Sequence, residues 1–210
     1  MVLIAPVVVI AVYRVVPPPV TALMLIRAAQ GEEMRQEWAP LSRIAPVLGR
    51  AVLASEDQKF CRHFGFDWQS LNEAWADWSE GRRARGASTL TMQTAKNLFL
   101  WPGRSLVRKG AEAYLALWIE LLWPKARILE VYLNIAEWGP GIYGAQAASR
   151  QFFAKPAASL SAEEAARLAA VLPNPRRFSA GSPSGYTLER AAIIRVKMSA
   201  IASADAQGCR

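Results

Sequence analysis

Histidine occurs once in this 210-residue chain, as His63, and cysteine twice, as Cys61 and Cys209. One imidazole and two distant thiols give little from which to build a zinc site or a Ser/His/Asp triad. Strand-like alternation of apolar and polar residues is scarce, no internal repeat occurs, and no low-complexity linker is seen before the Gly/Ser/Pro stretch at 179–185. A continuous apolar run of the ~20 residues that a membrane span takes is also missing. Val2 to Tyr13 carries no charge, but Pro6 lies inside it, Arg14 ends it, and Pro17, Pro18 and Pro19 follow. Residues 1–30 read as a truncated transmembrane anchor with a Pro-rich exit segment, ahead of a single domain over 31–210. A buried core helix is the plainer alternative.

What is present is an excess of apolar residues and of positive charge. Hydrophobic residues make up 52% and charged residues 20%, and the mean hydropathy is +0.10, too apolar for a disordered chain. Helical spacing recurs at Ile44, Val47, Leu48, Ala51 and Val52, at Leu106, Ala113, Leu117 and Leu121, at Ile128, Leu129, Tyr132 and Leu133, and at Ala165, Leu168, Ala169 and Leu172. Glycine and proline punctuate between these sets, so the fold class expected is mainly α, with short helices joined by loops. The last helix is expected from about Thr187 to Ile201, and Ala202 to Arg210 as a frayed tail.

Lysine and arginine number 25 against 17 acids, a net charge of +8. That balance predicts an anionic partner, whether nucleic acid, phospholipid or a phosphorylated substrate. Between Glu80 and Glu112 there is no acid, while Arg82, Arg83, Arg85, Lys96, Arg104, Arg108 and Lys109 contribute seven cations. A solvated basic face interleaves acids for i,i+4 support, and this stretch does not. With Ser88, Thr89, Thr91 and Gln93 alongside, it reads as a site for phosphate oxygens.

Two acids stand out against local preference. Arg108 precedes Glu112 by four residues at the start of an expected helix, where cations oppose the macrodipole and the pair has its weaker orientation. Glu56 and Asp57 close a helix at the end where the macrodipole disfavours acids. They open the segment Glu56-Asp57-Gln58-Lys59-Phe60-Cys61-Arg62-His63-Phe64-Gly65-Phe66-Asp67, too dense in acid, aromatic and histidine for an ordinary solvated loop. Glu56 is the first catalytic candidate and Glu112 the second, the latter against the plainer reading of a structural salt bridge, while Asp57 and His63 each have a plainer structural reading as cap, salt-bridge partner or satisfied histidine.

In this order the residues resemble the peptidoglycan glycosyltransferases of glycosyltransferase family 51. Glu56-Asp57-x-x-Phe60-x-x-His63-x-Gly65-x-Asp67 is similar to the family's first motif. Gly86-Ala87-Ser88-Thr89-Leu90-Thr91-Met92-Gln93-x-x-Lys96-Asn97 is similar to the second, with Met92 where many members have glutamine. Arg108-Lys109-x-x-Glu112 resembles the third and Lys125-x-x-Ile128-Leu129-Glu130-x-Tyr132-Leu133-Asn134 the fourth. The resemblance covers roughly residues 39–178. No Ser-x-x-Lys or Lys-Thr-Gly transpeptidase signature occurs, so the chain reads as monofunctional.

The resemblance implies a lysozyme-like helical fold with a catalytic lobe and a smaller jaw resting in the membrane. It implies polymerisation of lipid II, a disaccharide-peptide on undecaprenyl pyrophosphate, into linear glycan strands on the periplasmic side of the bacterial inner membrane, from a single-pass anchor. Glu56 is then the base, with Glu112 assisting near the pyrophosphate as acid or metal contact. Ser88, Thr89, Gln93, Lys96, Asn97, Arg104, Arg108 and Lys109 would bind pyrophosphate and sugar. Asp57, Phe60, His63, Gly65, Glu130 and Asn134 would support the motifs. A divalent cation, Mg²⁺ or Mn²⁺, is expected and no organic cofactor. Partners would be lipid II, the growing lipid-linked glycan, membrane lipid, and proteins of cell-wall synthesis or division. The rivals are a lysozyme-like glycosidase, which needs no phosphate clamp, and a basic tryptophan-containing nucleic-acid binder, which needs no apolar N-terminus; nucleic acid is not an expected partner. Cys61 is left either free and buried or bonded to Cys209.

Overall fold

The computed structural model of the chain describes residues 4–81, 88–103, 105–203 and 205–209. Ten α-helices run through the described residues: α1 (Ile4–Tyr13), α2 (Ala22–Ala29), α3 (Pro46–Glu56), α4 (Trp68–Ser79), α5 (Leu90–Phe99), α6 (Leu106–Leu122), α7 (Lys125–Ile135), α8 (Ala145–Phe153), α9 (Ala162–Val171) and α10 (Gly185–Lys197). One small sheet joins β1 (Arg35–Gln36), β2 (Glu137–Gly139) and β3 (Ile142–Tyr143) in the order β1-β3-β2. β2 and β3 are antiparallel, and β1 adds to β3 in parallel through Arg35 opposite Ile142. The expectation of a mainly α chain holds.

Two helical groups share one core. α3 lies against α9, and α10 covers both; α5 packs on α6 and α7. Leu48, Ala51 and Val52 of α3, Ala165, Leu168 and Ala169 of α9, and Ile128, Leu129, Tyr132 and Leu133 of α7 are all buried, as their spacing requires. Caps set where the site-bearing helices begin. Thr89 Oγ1 accepts from Met92 N at the start of α5, and Ser105 Oγ accepts from Arg108 N at the start of α6.

α6 departs from the expected face. Leu106 is 91% exposed, and Leu117 and Leu121 are exposed as well, whereas Arg108, Glu112, Leu115, Ala116 and Ile119 are buried. The helix is apolar on both sides, so spacing alone selects the wrong stripe, and a buried ion pair displaces leucines to the surface. α1 packs on α6 through Ile10, and Trp123 Nε1 donates to Ile10 O at 2.7 Å, while Ile4, Val8 and Val12 face outward. Arg127 donates to the carbonyls of Tyr13 and Val16, so residues 4–16 are tied to the helices beneath. At ten residues α1 is half the length of a span. Among the described residues no helix is long and apolar enough to cross a membrane.

The described residues of the C-terminal stretch are not frayed. Ile201 and Ala206 are buried, and the tail runs between α3 and α7. A Cβ on Gly49 would lie 2.5 Å from Ala206 O, and one on Gly208 would lie 2.0 Å from Ala126 Cα, so glycine on each side is what lets the backbones close. A disulfide joins Cys61 to Cys209 across a sequence separation of 148, deciding the alternative left open by the sequence.

Candidate functional site

Glu56 is the last residue of α3 and lines a cleft of about 640 Å³. Each of its oxygens meets a donor. Gln93 Nε2 donates to Oε2 at 2.9 Å, Ser55 Oγ donates to Oε1 at 3.0 Å, and Arg190 lies 3.7 Å from Oε1 while donating to Ser55 Oγ at 3.1 Å. Gln93 is itself oriented, because Tyr132 OH donates to its Oε1 at 3.1 Å. Burial, then the negative charges of Glu56 and Asp57, pushes the Tyr132 phenol well above its ordinary range, so it stays a proton donor. A carboxylate surrounded by donors, with a face on a cleft, is arranged to accept a proton.

The other acids of the motifs are spent on structure. Asp57 is buried; His63 Nε2 contacts its Oδ1 at 2.8 Å and Leu90 N donates to its Oδ2 at 2.8 Å. It thereby fastens the first motif to the start of α5. Phe60 is buried with Lys125 Nζ 4.4 Å from its ring centre. Gly65 O accepts from Thr89 Oγ1 at 2.6 Å, so Thr89 is both a cap and a buried strut, which leaves its hydroxyl little freedom for a ligand. Glu130 accepts from Leu41 N at 2.8 Å and pairs with Arg127, and Asn134 bonds both backbone groups of Ala39 at 2.8 Å. Together they hold the chain entering α3.

Glu112 is buried, and both its oxygens are taken: Arg108 donates to Oε2 and Lys109 to Oε1, each at 2.6 Å. Lys109 also donates to Ser88 Oγ at 2.8 Å. The carboxylate therefore organises two cations. As a metal ligand it is poorly placed, since a cation would have to displace Arg108 or Lys109, and among the described residues no cluster of three His, Cys, Asp or Glu could hold a metal. These residues do not fit a protein-held divalent cation at Glu112.

A second pocket, of about 350 Å³, adjoins the first at Gln93 and Pro173. Lys96, Asn97 and Arg108 line it. Burial lowers the pKa of Lys96 first of all; Arg108 and Lys109 lower it further, while Glu112 and Glu56 pull it up. Arg108 Nε is buried without a hydrogen-bond partner among the described residues. Positive charge is thus held at a cost in a concave, partly apolar space, the arrangement of a site awaiting an anion. Arg104, and the cations Arg82, Arg83 and Arg85, lie outside the described residues.

A sequence model of a protein family, described as transglycosylase, matches residues 24–199. The chain belongs to that family. It is 57% identical over 190 residues to a biosynthetic peptidoglycan transglycosylase of Rhodospirillum centenum, covering 90% of this chain and 82% of the relative. A protein of the same name from Caulobacter vibrioides is 50% identical over 185 residues, covering 88% and 81%. Another, from Pseudomonas putida strain F1, is 53% identical over 199 residues, covering 92% and 84%.

In this transglycosylase-family chain the tertiary structure adds residues that the motifs do not flag as acting at Glu56. Arg190 reaches it from α10, and Tyr132 acts on it through Gln93. Glu120 is buried, accepting from Thr91 Oγ1 at 2.6 Å and pairing with Lys125 at 2.7 Å. Arg190 lies 134 residues after Glu56, and nothing local to its helix marks it. Met92 is buried in the core, so its departure from glutamine falls on a packing position, and of these two neighbours it is Gln93 that meets Glu56.

Proposed function

We propose that this chain is a peptidoglycan glycosyltransferase that polymerises lipid II into linear glycan strands. The observation that carries the reading is the position of Glu56: a donor-held carboxylate on one pocket, linked through Gln93 to a neighbouring pocket lined by Lys96 and Arg108. The acceptor sugar occupies the larger cleft and the donor's pyrophosphate the basic pocket. The acceptor hydroxyl oxygen attacks the anomeric carbon and its proton passes to Glu56. The bond from that carbon to the pyrophosphate oxygen breaks, and the electron pair leaves with the pyrophosphate. A single displacement inverts the anomeric centre. The leaving group departs as an anion, so fixed positive charge stabilises it where a glycosidase would need an acid. No step of this reaction is routed through a metal held by Glu112.

The reading places the enzyme on the periplasmic side of the bacterial inner membrane, without transpeptidase activity. Two features support the location. Leu106, Val107, Leu117 and Leu121 of α6 and Ile4, Val8 and Val12 of α1 expose apolar side chains, a surface suited to a jaw resting in lipid and to an anchor at the N-terminus. The Cys61–Cys209 disulfide suits an oxidising compartment. Wild type and Glu56→Gln are to be compared in a lipid II polymerisation assay beside incubation with finished sacculi. The wild type is expected to grow chains, and the variant to bind lipid II with under 1% of the turnover, about the 10²-fold or more that loss of a base costs. Release of soluble fragments from sacculi without chain growth would assign a lytic enzyme instead.

A further inference from the structure

The basic pocket has a wall that none of the four motifs supplies. Leu23 and Arg27, one turn apart on α2 and therefore on one face of it, both line the pocket that holds Lys96 and Arg108. Arg27 sits in the last turn of α2, where a cation suits the macrodipole, and this alone would account for an arginine there. It does not account for Arg27 Nε, which is buried without a hydrogen-bond partner among the described residues, as is Arg108 Nε. Two buried, unsatisfied guanidinium donors in one pocket are costly unless something with several acceptor oxygens fills it. Arg27 Nη1 donates at the exposed edge to Gln30 Oε1 at 3.0 Å.

The one acid lining the pocket is Glu137, and Arg27 and Arg176 both act on it electrostatically. Arg176 stands 3.6 Å from Glu137 but 2.6 Å from Glu32, so Glu137 shares Arg176 with Glu32 and draws on Arg27 as well, while Arg27 Nε keeps, among the described residues, a free donor for a ligand. Beside the charges stand Leu100 and Trp101, so the pocket presents an anion site next to a hydrocarbon surface.

We propose that α2 is part of the substrate site: Arg27 is a third cation for the prenyl pyrophosphate, and Leu23 packs on the first carbons of its chain. This rests on the reading of the pocket given above and extends it to a helix inside residues 1–30, which the sequence alone assigns to an anchor and its Pro-rich exit segment. The charged fork of an arginine suits two phosphoryl oxygens at once, which a lysine matches only in part.

The test is direct binding of undecaprenyl pyrophosphate in detergent micelles to the full chain, with undecaprenol as the uncharged counterpart and inorganic pyrophosphate as the headgroup alone. Wild type, Arg27→Ala, Arg27→Gln, Arg27→Lys, Leu23→Ala and Lys96→Ala are compared. Arg27→Ala is expected to lose about tenfold in affinity for undecaprenyl pyrophosphate and none for undecaprenol, with Arg27→Lys recovering part. Leu23→Ala is expected to weaken undecaprenyl pyrophosphate and leave inorganic pyrophosphate unchanged. In turnover, Arg27→Ala should raise the KM for lipid II more than it lowers kcat. If Arg27→Ala does not fold, Arg27→Gln, which keeps the stem and a polar tip, decides by the same readout. Affinity within twofold of wild type in the folded Arg27 variants, with Lys96→Ala defective, would overturn the role of α2 and leave the pocket. A wild type that does not distinguish undecaprenyl pyrophosphate from undecaprenol would overturn both.

Discussion

Glu56 and Glu112 are both glutamates beside cations, and their surroundings give them different work. Glu56 keeps a face on the cleft and accepts bonds from Gln93 and Ser55, whereas Glu112 is buried with both oxygens committed to Arg108 and Lys109. Removing one partner of a buried ion pair costs about 3–5 kcal/mol, because the other charge is left in a low-dielectric interior. Glu112→Ala should therefore lower the unfolding midpoint in denaturant as well as the activity, while Glu56→Gln should lower activity alone; equal midpoints for the two variants would contradict this division. Gln93 and Tyr132 position Glu56 from behind. Tyr132→Phe should reduce kcat about 3- to 30-fold, the loss of one neutral hydrogen bond in a buried chain, with the KM for lipid II little changed. Glu56 and Glu112 are legible in the sequence because each violates a helix preference. Arg190 is not, because its effect depends on α10 crossing the end of α3.

At the scale of the elements, α5 and α6 form the charged wall, and their caps determine which side chains reach it. Thr89 and Ser105 start the two helices, so Gln93, Lys96 and Asn97 from one share a pocket with Arg108 from the other, and Lys96 lies in the field of Arg108, Lys109 and Glu112. Lys96 shows what that wall costs. Its pKa is lowered chiefly by burial, so the unfolded chain binds the proton more tightly than the folded one. Folding then pays a penalty that is complete below the folded pKa and fades as pH rises toward the ordinary lysine value. Lys96→Met, which keeps the stem and removes the charge, should abolish polymerisation yet raise Tm at pH 7 without substrate, by ~2–4 °C for each kcal/mol relieved. The gain should shrink as the pH rises toward the ordinary lysine value, and a lower Tm at pH 7 would refute it. α6 also exposes Leu117 and Leu121 on its outer side. Leu117→Glu with Leu121→Glu should weaken flotation with vesicles of anionic phospholipid, while the unfolding midpoint stays within about 0.5 kcal/mol of wild type, the usual range for surface changes.

For the whole molecule, the C-terminal tail closes the structure against the first motif. Cys209 bonds Cys61, next to buried Phe60 and two residues before His63, and the described tail residues, buried Ile201 and Ala206 among them, pack beside α3 and α7. A crosslink spanning most of the chain restricts the unfolded state, and removing such a bond typically costs 2–5 kcal/mol. Cys61→Ser, or reduction of the wild type, should lower the unfolding free energy from urea titration by that amount, and a loss under about 0.5 kcal/mol would show that packing alone holds the tail.

Local order settled what could be read in advance. Helical periodicity, the acid-free run from 81 to 111 and four spaced motifs are properties of neighbouring residues. They were enough to place a mainly α fold and the family resemblance, and to single out Glu56 as a candidate. The tertiary structure decided what depends on which faces meet. An all-round apolar helix such as α6 leaves its buried stripe undetermined, and the ion pair of Arg108 and Glu112 chose the side against the leucines. Glycines at 49 and 208 let a tail that reads as loose pack tightly. Arg27 and Arg190 acquired neighbours far away in sequence, and side-chain proximity across such distances is fixed by packing, which no local pattern encodes.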